Sequence, residues 1–342
     1  MHRTWLFAAA SLVVGALALA GCSGDDGTGN TGGTGGTSTS SGGGGAGGAT
    51  STGGAGGQTT ARFVDRVRFV DAAESGPLLG TADPFTDRLS PFDVQARLGD
   101  VSKTEAADYL AFAAAQALDW DDATRAGCVD ALEIVQQRID ALGLTMPDAP
   151  AELLFANSTG AEEGNAGAYT REGTVVLPGG SPGSVTQRAD LIAHEIFHAL
   201  TRANPTLSED AHALLGFAPI DEITLPPARA ALRITNPDAP YLNREIHVQV
   251  AGADTALVPL LLSDSEYSGG NLFSYLTVLL YDPSTDATYT YDEVTGFYEQ
   301  IGTSTPYNIH PEEISAEHFR LGLSGAAVND PALVQGLLAL FH

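Results

Sequence analysis

Basic side chains are scarce in this chain of 342 residues: 16 lysines and arginines stand against 42 aspartates and glutamates, and Lys103 is the only lysine. With a formal net charge of −26 and no basic cluster, nucleic acid and anionic lipid headgroups are excluded as electrostatic partners. Cysteine is rarer still, present only as Cys22 and Cys128. Two cysteines cannot build a disulfide framework, so the fold must rest on a packed core. A membrane-spanning run is also missing near the start, where the uncharged stretch Leu6–Ala20 falls short of the roughly 20 apolar residues a span needs. Glycine looks abundant at 40 residues, but 17 of these lie between Ser23 and Thr60. The rest of the chain carries an ordinary share.

The uneven glycine divides the chain into three parts. Residues 1–22 read as a secretory signal: His2 and Arg3 start it, Leu6–Ala20 form its apolar centre, and it ends in Leu19-Ala20-Gly21-Cys22. That ending resembles the lipobox of bacterial lipoproteins, which implies a signal peptide cleaved before a lipidated Cys22. The membrane is then reached through the anchor, with no need for a basic patch. Ser23 follows the cysteine where an aspartate would favour the inner membrane, so the resemblance points to an extracytoplasmic protein at the outer membrane. Residues 23–60 are almost wholly Gly, Ser, Thr and Ala, a composition that cannot bury enough apolar surface to order itself. As a flexible linker it spans roughly 35 Å on average. Residues 61–342 form the folded body, in which Cys128 is the sole thiol.

Within the body, Ala61–Gly99 contains several prolines and reads as short strands and loops, with Arg62–Asp71 alternating as a strand. Ser102-x-x-Glu105 has the form of a capping box and predicts a helix to about Trp120. Asp122–Leu142 predicts a second, with Val129, Leu132, Val135, Ile139 and Leu142 on its apolar face, a buried Cys128 and a stop at Gly143. Strands are expected at Ala151–Ala156, Gly167–Leu177, Ile246–Leu262, Leu272–Tyr281 and Thr288–Tyr298. Ser184-x-x-Gln187 caps a helix to about Arg202, and further helices are expected over Leu207–Leu215, after Pro306 and over Pro331–Phe341. The fold class is therefore α+β.

The helix opened by Ser184 carries His194-Glu195-Ile196-Phe197-His198. Positions i and i+4 share one helix face, so both imidazoles can reach one zinc ion, while Glu195 is offset towards the metal's bound water. Glu195 is thus the candidate general base. A third protein ligand must come from elsewhere. The metzincin extension would need Gly at 201 and His at 204, where Thr201 and Asn204 stand. Gly302-Thr303-Ser304-Thr305-Pro306-Tyr307-Asn308 follows the outline of the aspzincin segment without its aspartate.

Downstream, Glu313-Ile314-Ser315-Ala316-Glu317-His318-Phe319 resembles the second motif of the gluzincin zinc metallopeptidases, in particular their lethal-factor-like branch. The resemblance covers two short stretches. It implies a zincin-like metallopeptidase fold with N-terminal helices and a β-rich insertion, since 114 residues separate His198 from Glu313. It assigns His194, His198 and Glu313 as zinc ligands and Glu317 as the carboxylate orienting an imidazole, although spacing alone does not choose between Glu313 and Glu317. It also suggests Tyr307 as the residue stabilising the oxyanion. Glu312 reads as an acid placed for the helix dipole, His310 as a turn residue, and His212, His247 and His318 as histidines without a ligand role. The expected substrate is a peptide or protein, its backbone pairing with the edge strand in Gly167–Leu177. The competing expectation is a zincin-like binding or surface lipoprotein module without turnover, and intact Glu195 speaks against it.

Overall fold

The computed structural model describes residues 62–342 apart from Pro182. The signal peptide, Cys22 and the linker lie outside the described residues. In chain order, the elements begin with β1 (Val67–Phe69), α1 (Ala72–Leu79), α2 (Pro91–Leu98), α3 (Ala106–Ala114), β2 (Ala117–Leu118) and α4 (Asp122–Leu142). They continue with β3 (Leu153–Ser158), β4 (Tyr169–Arg171), β5 (Thr174–Val176), α5 (Val185–Ala203) and α6 (Pro205–Leu214). Then come β6 (Phe217–Pro219), α7 (Pro227–Ala230), β7 (Arg244–Val250), β8 (Ala253–Ser263), β9 (Leu276–Asp282), β10 (Ala287–Tyr289) and β11 (Val294–Thr295). The chain closes with α8 (Phe297–Ile301), α9 (Pro311–Ser324) and α10 (Pro331–Ala339). The architecture is α+β. Among the described residues no helix is long and apolar enough to cross a membrane.

The first sheet has the order β1-β3-β5-β4, with β2 paired to β3. β1, β3 and β5 are parallel, and β4 turns back antiparallel as an edge. Alternate residues feed two cores, as the period of a strand requires. Phe155 and Val175 pack with Ile192, Ile196 and Phe197 of α5, with α4 residues and with Phe319 of α9. Their neighbours Ala156 and Val176 pack on the opposite face with Leu79, Phe85, Val94 and Tyr109. The sheet is thus covered on both faces, by α4 and α5 on one and by α1 to α3 on the other. In chain order between α5 and α9 comes a second sheet, β10-β9-β8-β7-β11, with β6 also on β7. Its Ile246, Val248, Leu257 and Leu280 pack with Ile314, so α9 is held by both halves of the body.

Several local expectations change. Of the expected strand-and-loop segment Ala61–Gly99, the described part, 62–99, is largely helical, with a single three-residue strand. Proline there does not end the helices: Pro91 occupies the first turn of α2 behind the Ser90/Asp93 capping box, where its missing N–H costs nothing, and Pro77 lies inside α1. Ser102 does not cap α3; it turns back to Asp100, and the helix ends at Ala114 because the chain beyond it joins β3 as β2. On α4 the buried stripe runs through Cys128, Ala131, Leu132, Val135 and Ile139, leaving Val129 and Leu142 exposed. Gly167–Leu177 is a hairpin rather than one strand, turning at Glu172 with φ of 51°. Ile246–Leu262 is likewise two strands, broken at Ala251-Gly252, where φ values of 49° and 83° give the left-handed pair a two-residue hairpin needs. Leu272–Ser274 is a short 3-10 turn before β9. Thr288–Tyr298 breaks into pieces, β10 on β9 and β11 on β7, with α8 starting at Phe297.

Candidate metal centre

Helix α5 is opened by a reciprocal capping box: the Ser184 hydroxyl accepts from Gln187 N–H at 3.2 Å, and the Gln187 side chain accepts from Ser184 N–H at 2.9 Å. From Ile192 to Thr201 every side chain on it is buried. Helix α9 crosses α5 with its first two turns equally enclosed, beginning at Pro311 behind His310 as N-cap, whose Nδ1 accepts from Glu312 N–H at 3.1 Å. His310 is thus structural, as a residue at a helix start should be.

The crossing brings His194, His198 and Glu313 together, all at most 3% exposed. Glu313 Oε2 lies 3.1 Å from His194 Nε2 and 3.5 Å from His198 Nε2. On the far side of each ring a carboxylate holds Nδ1: Glu317 Oε1 at 3.1 Å for His194, and Glu312 Oε1 at 3.1 Å for His198. With Nδ1–H donated outward, the lone pair of each Nε2 faces inward. His198 Nε2 is buried without any hydrogen-bond partner, an uncompensated group of the sort a folded interior rarely tolerates. Ligands about 2.0–2.1 Å from a tetrahedral zinc stand roughly 3.3 Å apart, close to the spacing of these atoms. The trio can hold a metal ion.

Glu317 is itself fixed by Arg320, at 2.8 and 2.9 Å, and by Thr305 at 3.3 Å. Glu312 departs from its expected role at the helix dipole. Besides His198, it accepts from the Thr201 hydroxyl and from His212 Nε2, the latter at 2.9 Å. Arg244 Nε donates to His212 Nδ1 at 2.9 Å, which places the histidine's remaining proton on Nε2. A relay Arg244–His212–Glu312–His198 therefore sets the tautomer of one metal-facing ring. No local pattern announces it, because His212 and Arg244 meet Glu312 only through the packing of α6 and β7 against α9.

Glu195 is 2% exposed, and its Oε2 accepts from the Thr170 hydroxyl of β4 at 2.9 Å. Burial raises its pKa above the usual carboxylate value, a direction that suits a group taking a proton near neutral pH. Burial works against charge on His194 as well, but the Glu313 and Glu317 carboxylates outweigh it and push its pKa up to about 9. Burial would also protonate Glu313, yet the two imidazoles hold it below the normal range. Tyr307 is half-buried with its ring centroid 6.2 Å from that of His194. Burial first, and then the Glu313, Asp238, Glu195 and Glu317 carboxylates, raise its hydroxyl pKa, so it remains a proton donor. Of the other histidines, His318 is buried, whereas His247 is exposed on β7 beside Asp254.

Two residues from the second half of the chain also enter the centre. Asn236 donates its side-chain amide to Glu313 Oε1, and Asp238 has a carboxylate oxygen within 4.8 Å of ligand atoms on Glu195 and His198. Nothing in the sequence near Asp238 marks it. A cleft of about 360 Å³ opens alongside, lined by Thr201, His212, Asp238, Arg244, His310 and Glu312 among others. Comparison of the chain with family models, with curated proteins and with solved structures yields no match, so the centre is read from its own geometry.

Proposed function

We propose that the chain is a zinc metallopeptidase with a zincin-like fold, anchored at the outer membrane through lipidated Cys22 and held outside the cytoplasm on the 23–60 linker. The observation that carries the reading is the convergence of two carboxylate-oriented imidazoles on Glu313, with a buried Glu195 of raised proton affinity beside them. His194, His198 and Glu313 would hold the ion. When bound, zinc supplies Lewis acidity and a water acidic enough to be deprotonated near neutral pH. Glu195 would take a proton from the attacking water and return it to the leaving amine, with its carboxylate fixed by the Thr170 hydroxyl. Glu317 and Glu312 hold the rings in the donor orientation. Tyr307 contributes a hydroxyl towards the carbonyl oxygen that gains charge.

Metal analysis and hydrolysis of denatured protein test this. One zinc per chain is expected in the wild type, no zinc in Glu313→Ala, and zinc without turnover in Glu195→Gln. A wild-type protein that takes up no zinc would sink the reading. A second reading, a zinc-holding module that binds without turnover, is favoured by one observation: Asn236 and Asp238 already occupy the approach to the centre. Stoichiometric zinc with no cleavage by any variant would support it.

A further inference from the structure

The donors of the centre fall into two trios that share one ring. Besides His194, His198 and Glu313, the residues Glu195, His198 and Asp238 each offer a ligand atom within 4.8 Å of the others. Asp238 enters this second trio from the loop before β7, and its place is fixed: Oδ1 accepts from Thr170 N–H at 2.6 Å, and its carbonyl accepts from Arg202 Nη2 at 2.8 Å. The same Thr170 donates its hydroxyl to Glu195 Oε2 at 2.9 Å. One residue of β4 thus engages one oxygen of each carboxylate. Among the described residues the other oxygens, Asp238 Oδ2 and Glu195 Oε1, form no hydrogen bond. His198 Nε2 is the third open donor, buried and without a partner. Its Nδ1 is taken by Glu312, so the ring has one lone pair to give and serves one trio at a time.

The trios differ in chemistry and in access. Two imidazoles and one carboxylate suit zinc, whereas one imidazole and two carboxylates make a harder set that holds zinc more weakly. His194, Glu195, His198 and Glu313 are at most 3% exposed, and none of them lines the cleft. Asp238 is half-buried and does line it. The cleft wall carries three carboxylates, of Glu172, Asp238 and Glu312, against two guanidinium groups, of Arg202 and Arg244. A dication coming through the cleft therefore meets Asp238 before it can reach Glu313.

Resting on the reading of His194, His198 and Glu313 as the zinc site, we infer that Glu195, His198 and Asp238 form a second, weaker station for the ion, on its way between the cleft and that site. His198 belongs to both trios and stays on the ion throughout, while Glu195 and Asp238 give way to His194 and Glu313. At the second station Glu195 is a ligand and not a base, so this station loads the centre without turning over substrate. Thr170 and Arg202 are its positioning residues.

The test uses the full-length protein stripped of metal, with cobalt alone as the probe, followed by its visible absorption. Glu313→Ala, isolated without zinc, should still take up cobalt from excess, at least a hundredfold more weakly than wild type. Adding Asp238→Asn or Glu195→Gln to it should weaken that uptake at least tenfold further. In the otherwise wild-type protein, Asp238→Asn should slow both uptake and release of cobalt at least fivefold, leaving their ratio nearly unchanged. A charge that only attracted the ion would, when removed, leave release unchanged or faster, so slowed release is the signature of a station. Asparagine keeps an acceptor for the Thr170 N–H, and a thermal midpoint of the metal-free variant equal to that of wild type shows that it folds. Glu195→Gln alone should slow release in the same way, which keeps the test decisive should Asp238→Asn lose its fold. Release as fast as wild type in both single variants overturns the inference and leaves the zinc reading standing. So does a Glu313→Ala protein that takes up no cobalt, or whose uptake neither added substitution weakens. A wild-type protein that takes up no metal overturns both.

Discussion

Replacing Glu312 by Gln separates its role as an orienting group from that of a dipole charge. The carboxylate accepts from three donors: His198 Nδ1 and Thr201 on Oε1, and His212 Nε2 on Oε2. A glutamine has the same shape but a single acceptor oxygen. If that oxygen faces His198 and Thr201, the amide meets the His212 N–H, whose tautomer Arg244 has already set. If it faces His212, the His198 ring loses its holder and can present the wrong nitrogen. Loss of such an outer partner commonly weakens metal binding 10- to 100-fold, about 1.4–2.7 kcal/mol. The expected result for Glu312→Gln is near tenfold and for Glu312→Ala near a hundredfold. Glu317→Gln, acting on the other ring and opposing Arg320 in the same way, should match the first, and the double variant should come close to the product. Competition with a chelator of known affinity gives each number. Were Glu312 only a helix-dipole charge, Glu312→Gln would cost α9 about 0.3–1 kcal/mol of stability and leave metal affinity intact. Affinities within twofold of wild type, with His194→Ala abolishing binding, would refute the relay.

Three further outcomes follow from the same geometry. In the metal-free protein the His194 pKa lies at about 9, above the usual 6.5, so its proton stabilises the fold below pH 6.5 and that contribution is lost as pH rises through 9. Zinc must displace the proton, so affinity should climb from pH 6.5 to 8.5 with measurable proton release, and a flat profile would contradict this. Phe197 packs between Phe319, at 5.4 Å, and Phe341, at 6.5 Å, so Phe197→Ala should lower unfolding free energy by about 3–5 kcal/mol in denaturant titration. Burial pushes the Cys128 thiol up to about 11; in a Cys22→Ser background it should alkylate only after denaturation, whereas rapid labelling of the native protein would show an open helix α4.

The parts of the centre visible in the sequence are those whose geometry is local. His194 and His198 share a helix face by spacing, Ser184 and Gln187 announce that helix, and Gly143 ends α4 in the left-handed conformation expected of it. Glu313 and Glu317 stand four apart on one helix, and the structure places one between the imidazoles and the other behind His194. What local pattern hides is assembled by tertiary packing. Glu312 is chemically indistinguishable from an ordinary helix-start acid until His212 and Arg244 arrive from α6 and β7. Asp238 and Thr170 meet across 68 positions, through a loop whose course depends on Asp93 and Arg97 holding Thr235. Helix α2 departs from expectation for a simpler reason: Pro91 sits in the first helical turn, which accepts proline, and a count of prolines cannot see position; α1 forms with Pro77 inside it.

The most direct measurement is an anomalous diffraction map of the full-length protein collected at the zinc absorption edge. The account predicts one strong peak bonded to His194 Nε2, His198 Nε2 and a Glu313 oxygen, absent in Glu313→Ala. No peak among these three side chains, after incubation with zinc near pH 8, would contradict it.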